Sequence, residues 1–346
     1  MKNEELYYPK ELSWLAFNER VLQEAADKNN PIIERIRFLG IYSNNLDEFY
    51  RVRAADVKRF ITIAQNEGDE EEAERQTQLM EDIQAKVLSL SKQFNAIHKD
   101  VEKTLARYNI FIVRSTQLSE YQQRWVRSLF RNKVLRHIAP ILIDNKTELL
   151  ERLNGNSVYL YVAIRREGKN TKFAAIQIPT DEMSRFVFIP PEKSRKKKHI
   201  ILLDNIIQLC LEDIFRGFVK FDSLEAYSFK LTRDAEYSIN DEIDESYVEK
   251  MSESMKQRLI AEPVRVIHDA EMPQDMSKDL RKRLKISRLD TVLAAGHYRN
   301  FKDFIGFPNV GRDYLEHQPL PSIDTKAFSN YDTVFDAITA KDILLY

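Results

Sequence analysis

The sequence has little glycine, a single cysteine, no long apolar run and no excess charge of either sign. Only 8 of its 346 residues are glycine, well under the usual ~7%. That scarcity argues against folds whose phosphate sites are glycine-rich loops. One cysteine, Cys210, excludes an intramolecular disulfide framework and a cysteine-based zinc site. Set within Ile206-Ile207-Gln208-Leu209-Cys210-Leu211, it reads as a buried, inert thiol. No stretch approaches the ~20 apolar residues of a membrane span, and the opening Met-Lys-Asn-Glu-Glu lacks a signal-peptide core. With 53 basic and 54 acidic residues, bulk charge gives no reason to expect a nucleic-acid binder. A soluble protein of the reducing cytoplasm fits, and its length predicts two or three domains.

Catalytic signatures are missing too. The histidines at 98, 137, 199, 268, 297 and 317 form no i,i+4 pair and no HExxH, so they predict no metal site. There is no Gly-x-Ser-x-Gly elbow. Gly306-Phe-Pro-Asn-Val-Gly311 has P-loop spacing, but Arg312-Asp313 stands where Lys-Ser/Thr is required, and Pro308 removes a backbone N–H. His98-Lys99-Asp100 is consecutive rather than spaced for phospholipase-D-type chemistry and reads as a solvated helix face. No complete catalytic constellation is present.

What is there begins with helix. Residues from about 10 to 108 read as an all-α bundle, with Ser13 as an N-cap for Trp14 to Asp27 and Pro31 opening a second helix. Acidic residues from Asp69 to Glu72 then open a long helix. Its apolar positions Leu79, Ile83, Val87, Leu90, Phe94, Ile97, Val101 and Leu105 are spaced 4, 4, 3, 4, 3, 4 and 4, which predicts more than 30 residues of antiparallel seam. From Asn109 the texture becomes α+β. Strands are expected at Ile110–Val113, Tyr159–Arg165, Lys172–Ile178, Arg185–Ile189, Ile200–Leu203, Leu224–Thr232 and Pro263–His268, the second and third forming a hairpin over Glu167-Gly-Lys-Asn170. Helices are expected from a capping box at Ser119 to about His137, from a cap at Asp204 to about Phe215, and over Glu242–Leu259 and Ser277–Leu284. The expected domains are thus a helical bundle at 1–108, an α+β head domain at 109–317, and a linker at 318–346 leading into a third domain cut short. The apolar ending Asp342-Ile-Leu-Leu-Tyr346 carries that last expectation.

Two features could touch a ligand. Asn44-Asn45 sits between an apolar helical run and the charges of Asp47, Glu48, Arg51 and Arg53. An amide can cap a helix or read the polar edge of a base. Asn45-Leu-Asp-Glu48 matches an N-cap with glutamate at its third position, so the pattern alone favours capping. The run Arg195-Lys196-Lys197-Lys198, after Pro190-Pro191, reads first as a solvated basic loop; contact with an anionic polymer is the alternative.

At these residues the chain resembles a known family. Lys10-Glu-Leu-Ser-Trp-Leu-Ala-Phe-Asn-Glu-Arg-Val-Leu-Gln-Glu-Ala-Ala-Asp27 and Arg37-Phe-Leu-Gly-Ile-Tyr-Ser-Asn-Asn-Leu-Asp-Glu-Phe-Tyr50 are similar to the opening of bacterial polyphosphate kinases of the first type. Leu203–Ile206, Thr232–Tyr237, Lys256–Leu259, Glu262–Arg265, Phe301–Phe304 and Phe307–Asn309 extend the resemblance in register over essentially the whole chain. It implies an enzyme that reversibly transfers the terminal phosphate of ATP onto inorganic polyphosphate through a phosphohistidine, with magnesium. It implies four domains: a helical bundle, a head domain that forms a homodimer, and two phospholipase-D-like domains holding the histidines and magnesium-linked arginines. Those last two lie outside this chain, so no catalytic and no metal residue carries over, and the chain alone is expected to be inactive and to bind ATP weakly. Asn45 does carry over, as a nucleotide-base contact, which reverses the preference for capping. ATP, ADP and polyphosphate are the implied partners, nucleic acid is not expected, and peripheral association with the inner membrane is left open. A stand-alone dimerising scaffold without catalysis is the alternative function.

Overall fold

A computed structural model describes residues 7–155, 157–192, 196–235, 262–296, 301–321 and 325–344. The helical part comprises α1 (Lys10–Ala26), α2 (Ile32–Phe49), a π-helical turn at Tyr50–Ala54, α3 (Ala55–Glu67) and α4 (Glu70–Arg107). α4 runs 38 residues, roughly 57 Å at 1.5 Å per residue. Asp69 caps it by accepting from the Glu72 N–H, and three glutamates in its first turn favour the positive end of the helix dipole. The predicted seam is the packed face: Ile83, Val87, Leu90, Val101 and Leu105 are buried, and Leu79, Phe94 and Ile97 pack against the same core. α3 ends at Gly68, whose φ of 75° is the left-handed conformation in which the Cβ of other residues is strained.

Helix starts differ from the expected caps. α1 begins at Lys10, after Pro9, so Ser13 lies inside the first turn and donates its N–H to the Pro9 carbonyl. Pro31 precedes the first residue of α2 rather than being it. Proline stands before both helices because its fixed φ suits those positions and its absent N–H removes one orphan donor.

The second part is α+β. A mixed three-stranded sheet runs β1 (Ile110–Val113), β6 (Lys198–Leu202), β5 (Phe186–Ile189). A six-stranded sheet runs β2 (Ile141–Ile143), β4 (Lys172–Gln177), β3 (Val158–Arg165), β7 (Ser223–Arg233), β8 (Pro263–Asp269), β9 (Thr291–Ala295). β3 and β4 form the expected hairpin, turning at Gly168 with φ 67°. The Ser119 capping box opens α5 (Glu120–Leu129), which continues through π and 3₁₀ turns to His137. The expected helix at Ser277–Leu284 runs Gln274–Arg283; that at Glu242–Leu259 lies outside the described residues.

Asp204 is not a cap. Its helix is two pieces, α6 (Leu203–Leu209) and α7 (Leu211–Phe215), broken at Cys210. The Asp204 carboxylate instead accepts from Arg185 at 3.1 Å, while Asp303 accepts from the other arm of that guanidinium at 2.7 Å. All three are removed from solvent to different degrees, and pairing with charge is what makes a buried arginine tolerable. Cys210 is buried, and burial pushes its thiol up to about 11, so it is inert as expected.

Bundle and sheets share one core. Phe186, Ile200, Leu202, Val264, Phe301, Phe304 and Phe307 belong to the same cluster as the apolar faces of α1 to α4. Polar contacts cross the same boundary. Lys58 on α3 reaches Asp290 at 2.9 Å and the Pro263 carbonyl at 3.0 Å, and Arg37 on α2 reaches Glu316 at 2.8 Å. The helix Val334–Ala340, capped by Thr333, follows the segment after Gln318.

Candidate functional site

Asn45 sits inside α2, four residues before its end, not at the start of a new helix. The helix runs unbroken from Ile32 to Phe49, and the buried positions Tyr42, Leu46 and Phe49 carry its apolar face through the Asn44-Asn45 pair. Capping of a new helix is therefore excluded, because no orphan N–H groups exist there to be capped. Asn45 is half-buried on the side facing α1, where its Nδ2 donates to Asn18 Oδ1 at 3.2 Å. Asn18 is fully buried and its own Nδ2 donates to the Tyr42 carbonyl at 3.2 Å. The two amides and the carbonyl form a chain of hydrogen bonds between α1 and α2.

Two residues beyond, Asp47 is gripped from the large sheet. Its two carboxylate oxygens accept from Lys230 and Arg265. The register of β7 against β8 pairs Thr232 with Arg265, and strand alternation puts Lys230, Thr232 and Arg265 on one sheet face. Arg265 also donates to Thr232 Oγ1 at 3.2 Å and lies with its guanidinium 4.5 Å from the centre of the Tyr50 ring. Burial opposes ionisation of Asp47, but the two cations outweigh it and hold the carboxyl below the usual range. For Lys230, burial and the second cation Arg265 together outweigh Asp47 and pull the amine down. Two cations around one anion leave the weaker acid of the pair carrying the excess, so the two directions agree.

Beside this cluster, between α2, α4, β8 and β9, lies a cavity of about 430 Å³. Tyr42, Phe94, Leu293 and Phe301 give it an aromatic and aliphatic lining, with Lys99, Arg114 and Arg265 set against Asp47 and Glu102. Asn45 does not line it. His98 does, and this corrects the expectation of a solvated face at His98-Lys99-Asp100. The His98 side chain is only 13% exposed and stands 4.9 Å from Phe301, ring centre to ring centre. Burial, helped by nearby Arg114, lowers its pKa to about 4. Asp100 pairs with Arg35 at 2.9 Å, leaving Lys99 as the exposed member.

The basic run is only partly a loop. Lys198 begins β6 opposite Ile110, Lys197 holds its amine 5.9 Å from the centre of the Phe111 ring, and the Lys196 carbonyl accepts from Arg312 at 3.0 Å. Lys196 and Lys197 are exposed and Lys198 is half-buried; Arg195 lies outside the described residues. Gly306–Gly311 is no phosphate loop: it leaves a 3₁₀ turn at Phe301–Gly306 and enters a tight turn with Val310 and Gly311 at positive φ, followed only by a three-residue 3₁₀ turn at Asp313–Leu315 and not by an α-helix whose start could point at a phosphate. Among the described residues no group of three His, Cys, Asp or Glu side chains could hold a metal ion.

Sequence reasoning missed Asn18, Lys230 and Arg265. A trace of the last two was visible: Lys230 in Phe229-Lys-Leu231 and Arg265 in Val264-Arg-Val266 are charges set between apolar neighbours, which a buried strand tolerates only with a partner. Asn18 left no such trace, since its partners come from another helix.

Known proteins resemble this chain. The family model described as polyphosphate kinase N-terminal domain matches residues 7–113, and that described as polyphosphate kinase middle domain matches residues 121–307. A polyphosphate kinase of Vibrio parahaemolyticus is 50% identical over 346 residues, covering 100% of this chain and 49% of the relative. One of Escherichia coli K12 is 49% identical over 348 residues, covering 100% of this chain and 50% of the relative. The chain thus spans about half the length of these relatives. The crystal structure of polyphosphate kinase from Porphyromonas gingivalis superimposes with a TM-score of 0.73 over 96% of this chain and 45% of that one, at 24% identity, which speaks for the fold. The chain belongs to the polyphosphate kinase family and carries that family's N-terminal and middle domains.

Proposed function

We propose that this chain supplies a nucleotide-base contact and a dimerising head to an enzyme that reversibly transfers the terminal phosphate of ATP onto inorganic polyphosphate. The observation that carries this reading is the match of both family domains over nearly the whole chain, with Asn45 of the resemblance held half-buried on α2 by Asn18. Phosphoryl transfer is mainly positioning and charge stabilisation. In this reading Asn45 contributes to positioning the base, and the phosphohistidine chemistry belongs to the family's catalytic domains. In this reading magnesium, like the phosphohistidine, belongs to the family's catalytic domains, and no step on this chain is routed through the metal. Lys196 and Lys197 offer exposed positive charge to polyphosphate, since clustered cations gain by releasing its condensed counterions.

The test is direct. Purified chain 1–346, incubated with ATP, magnesium and a polyphosphate primer, should make no polyphosphate. ATP-dependent chain growth by this chain alone would overturn the division of labour.

A further inference from the structure

We propose that Asn18 is a positioning residue that locks the Asn45 amide with its oxygen outward, making the site selective for a 6-amino purine. The inference rests on the reading of Asn45 as the base contact. The lock is set from one end, because the Tyr42 carbonyl oxygen can only accept a hydrogen bond. It lies 3.2 Å from Asn18, which is fully buried, so Asn18 must present its nitrogen there and its oxygen on the other side. That oxygen, too, can only accept, and it lies 3.2 Å from Asn45. Asn45 must therefore turn its nitrogen inward. A flipped Asn45 would set two amide oxygens against each other inside the bundle, where unsatisfied polar groups are costly.

What Asn45 then shows outward is its whole Oδ1 and one remaining N–H. Neither makes a hydrogen bond to another described residue, and the side chain is half-buried rather than engulfed. An amide so oriented pairs its oxygen with the exocyclic amine of adenine and its N–H with a ring nitrogen. Hypoxanthine carries an oxygen in place of that amine, so it meets acceptor with acceptor. Without Asn18 the amide could flip, and a flipped amide suits the 6-oxo purine equally well. Asn18 touches no nucleotide in this scheme; it acts through Asn45.

The experiment compares kcat/KM for ATP and for inosine triphosphate in the full-length protein carrying wild-type sequence, Asn18→Leu or Asn45→Ala. Leucine keeps asparagine's branched outline, though it is bulkier, and has no polar group. The Asn18→Leu protein should lose about tenfold in its ATP-to-ITP ratio, through KM, with kcat at saturating ATP within about twofold of wild type; Asn18→Ala gives the same comparison should the leucine protein not fold. A purely structural Asn18 would lower stability without moving that ratio. If Asn45→Ala collapses the ratio while the Asn18 variants keep it, the positioning role is overturned and the base contact stands. If Asn45→Ala leaves the ratio and the KM for ATP unchanged, the base contact itself fails, and the role of Asn18 with it.

Discussion

Gly40 and Ile305 meet backbone to backbone: a Cβ placed on Gly40 would lie 2.5 Å from the Ile305 nitrogen. The Phe301 carbonyl oxygen and the Phe304 carbonyl carbon would each be 2.9 Å away. Glycine in mid-helix normally costs about 1 kcal/mol against alanine, so its place in α2 calls for a packing reason. The turn Phe301–Gly306 supplies it, lying flat on α2 and bringing Phe301, Phe304 and Phe307 into the core shared by bundle and sheets.

Gly40→Ala should therefore destabilise the protein despite alanine's better helix propensity. The obstructing atoms are backbone and cannot swing aside, and overpacking of this kind costs about 1–3 kcal/mol. Thermal or urea denaturation of the purified chain checks this. An unchanged or raised midpoint would mean that the turn and α2 are not in contact.

Asp47→Ala should cost more, about 3–5 kcal/mol, because it leaves Lys230 and Arg265 buried without their shared anion. A double variant, Asp47→Leu with Lys230→Met, removes one cation along with the carboxylate and should recover part of the loss. Denaturant midpoints of the single and double variants make the comparison.

Acid should loosen the bundle before it protonates the paired carboxylates. His98 has its folded-state pKa depressed to about 4 from an ordinary 6.5. A base so depressed stays neutral in the fold while the unfolded chain takes up the proton. Its stability contribution is complete above about pH 6.5 and is lost progressively as pH falls toward 4, to a total of about 3 kcal/mol. His199, also depressed by burial and by Lys197, acts in the same direction. His98→Phe, which keeps an aromatic ring beside Phe94 and Phe301, should flatten stability against pH between 6.5 and 4.5. A slope as steep as wild type in that window would show that His98 is not buried as described.

The exposed part of the basic run should matter for polyanion binding and little for folding. Lys196→Gln with Lys197→Gln should weaken polyphosphate binding by the chain several-fold at low salt and make it less salt-dependent. Thermal stability should move by less than about 0.5 kcal/mol, as expected for exposed positions. Binding measured across a salt series decides the matter, and equal affinities at every salt would clear these lysines of the role.

Legibility in the sequence followed the range of the interactions. The eight seam positions of α4 and the acidic residues that open it are local patterns, and the structure reproduces both. The hairpin over Gly168 and the Ser119 capping box were equally local. Asn45-Leu-Asp-Glu48 looked like a helix start because cap preferences recur by chance within helices; the buried face through Leu46 and Phe49 decided against it. Asp204 looked like a cap for the same reason, until Arg185 and Asp303, distant in sequence, claimed its surroundings. β2 has three residues and β9 five, too short to show a period, and each is held by a partner strand. At the candidate site, Asn45 stood out in the sequence as either a cap or a base contact, and only the family resemblance favoured the base contact. Asn18, which holds it, required knowing that α1 lies against α2.

The central claim is that Asn45 touches the nucleotide base, and the KM for ATP of full-length Asn45→Ala measures it most directly. Losing one amide contact to a base is worth about 1–3 kcal/mol. The KM for ATP should rise about tenfold, with the thermal midpoint close to that of wild type. A KM equal to wild type, accompanied by a fall in stability of about 1 kcal/mol, would contradict the claim and leave Asn45 as no more than a link between α1 and α2.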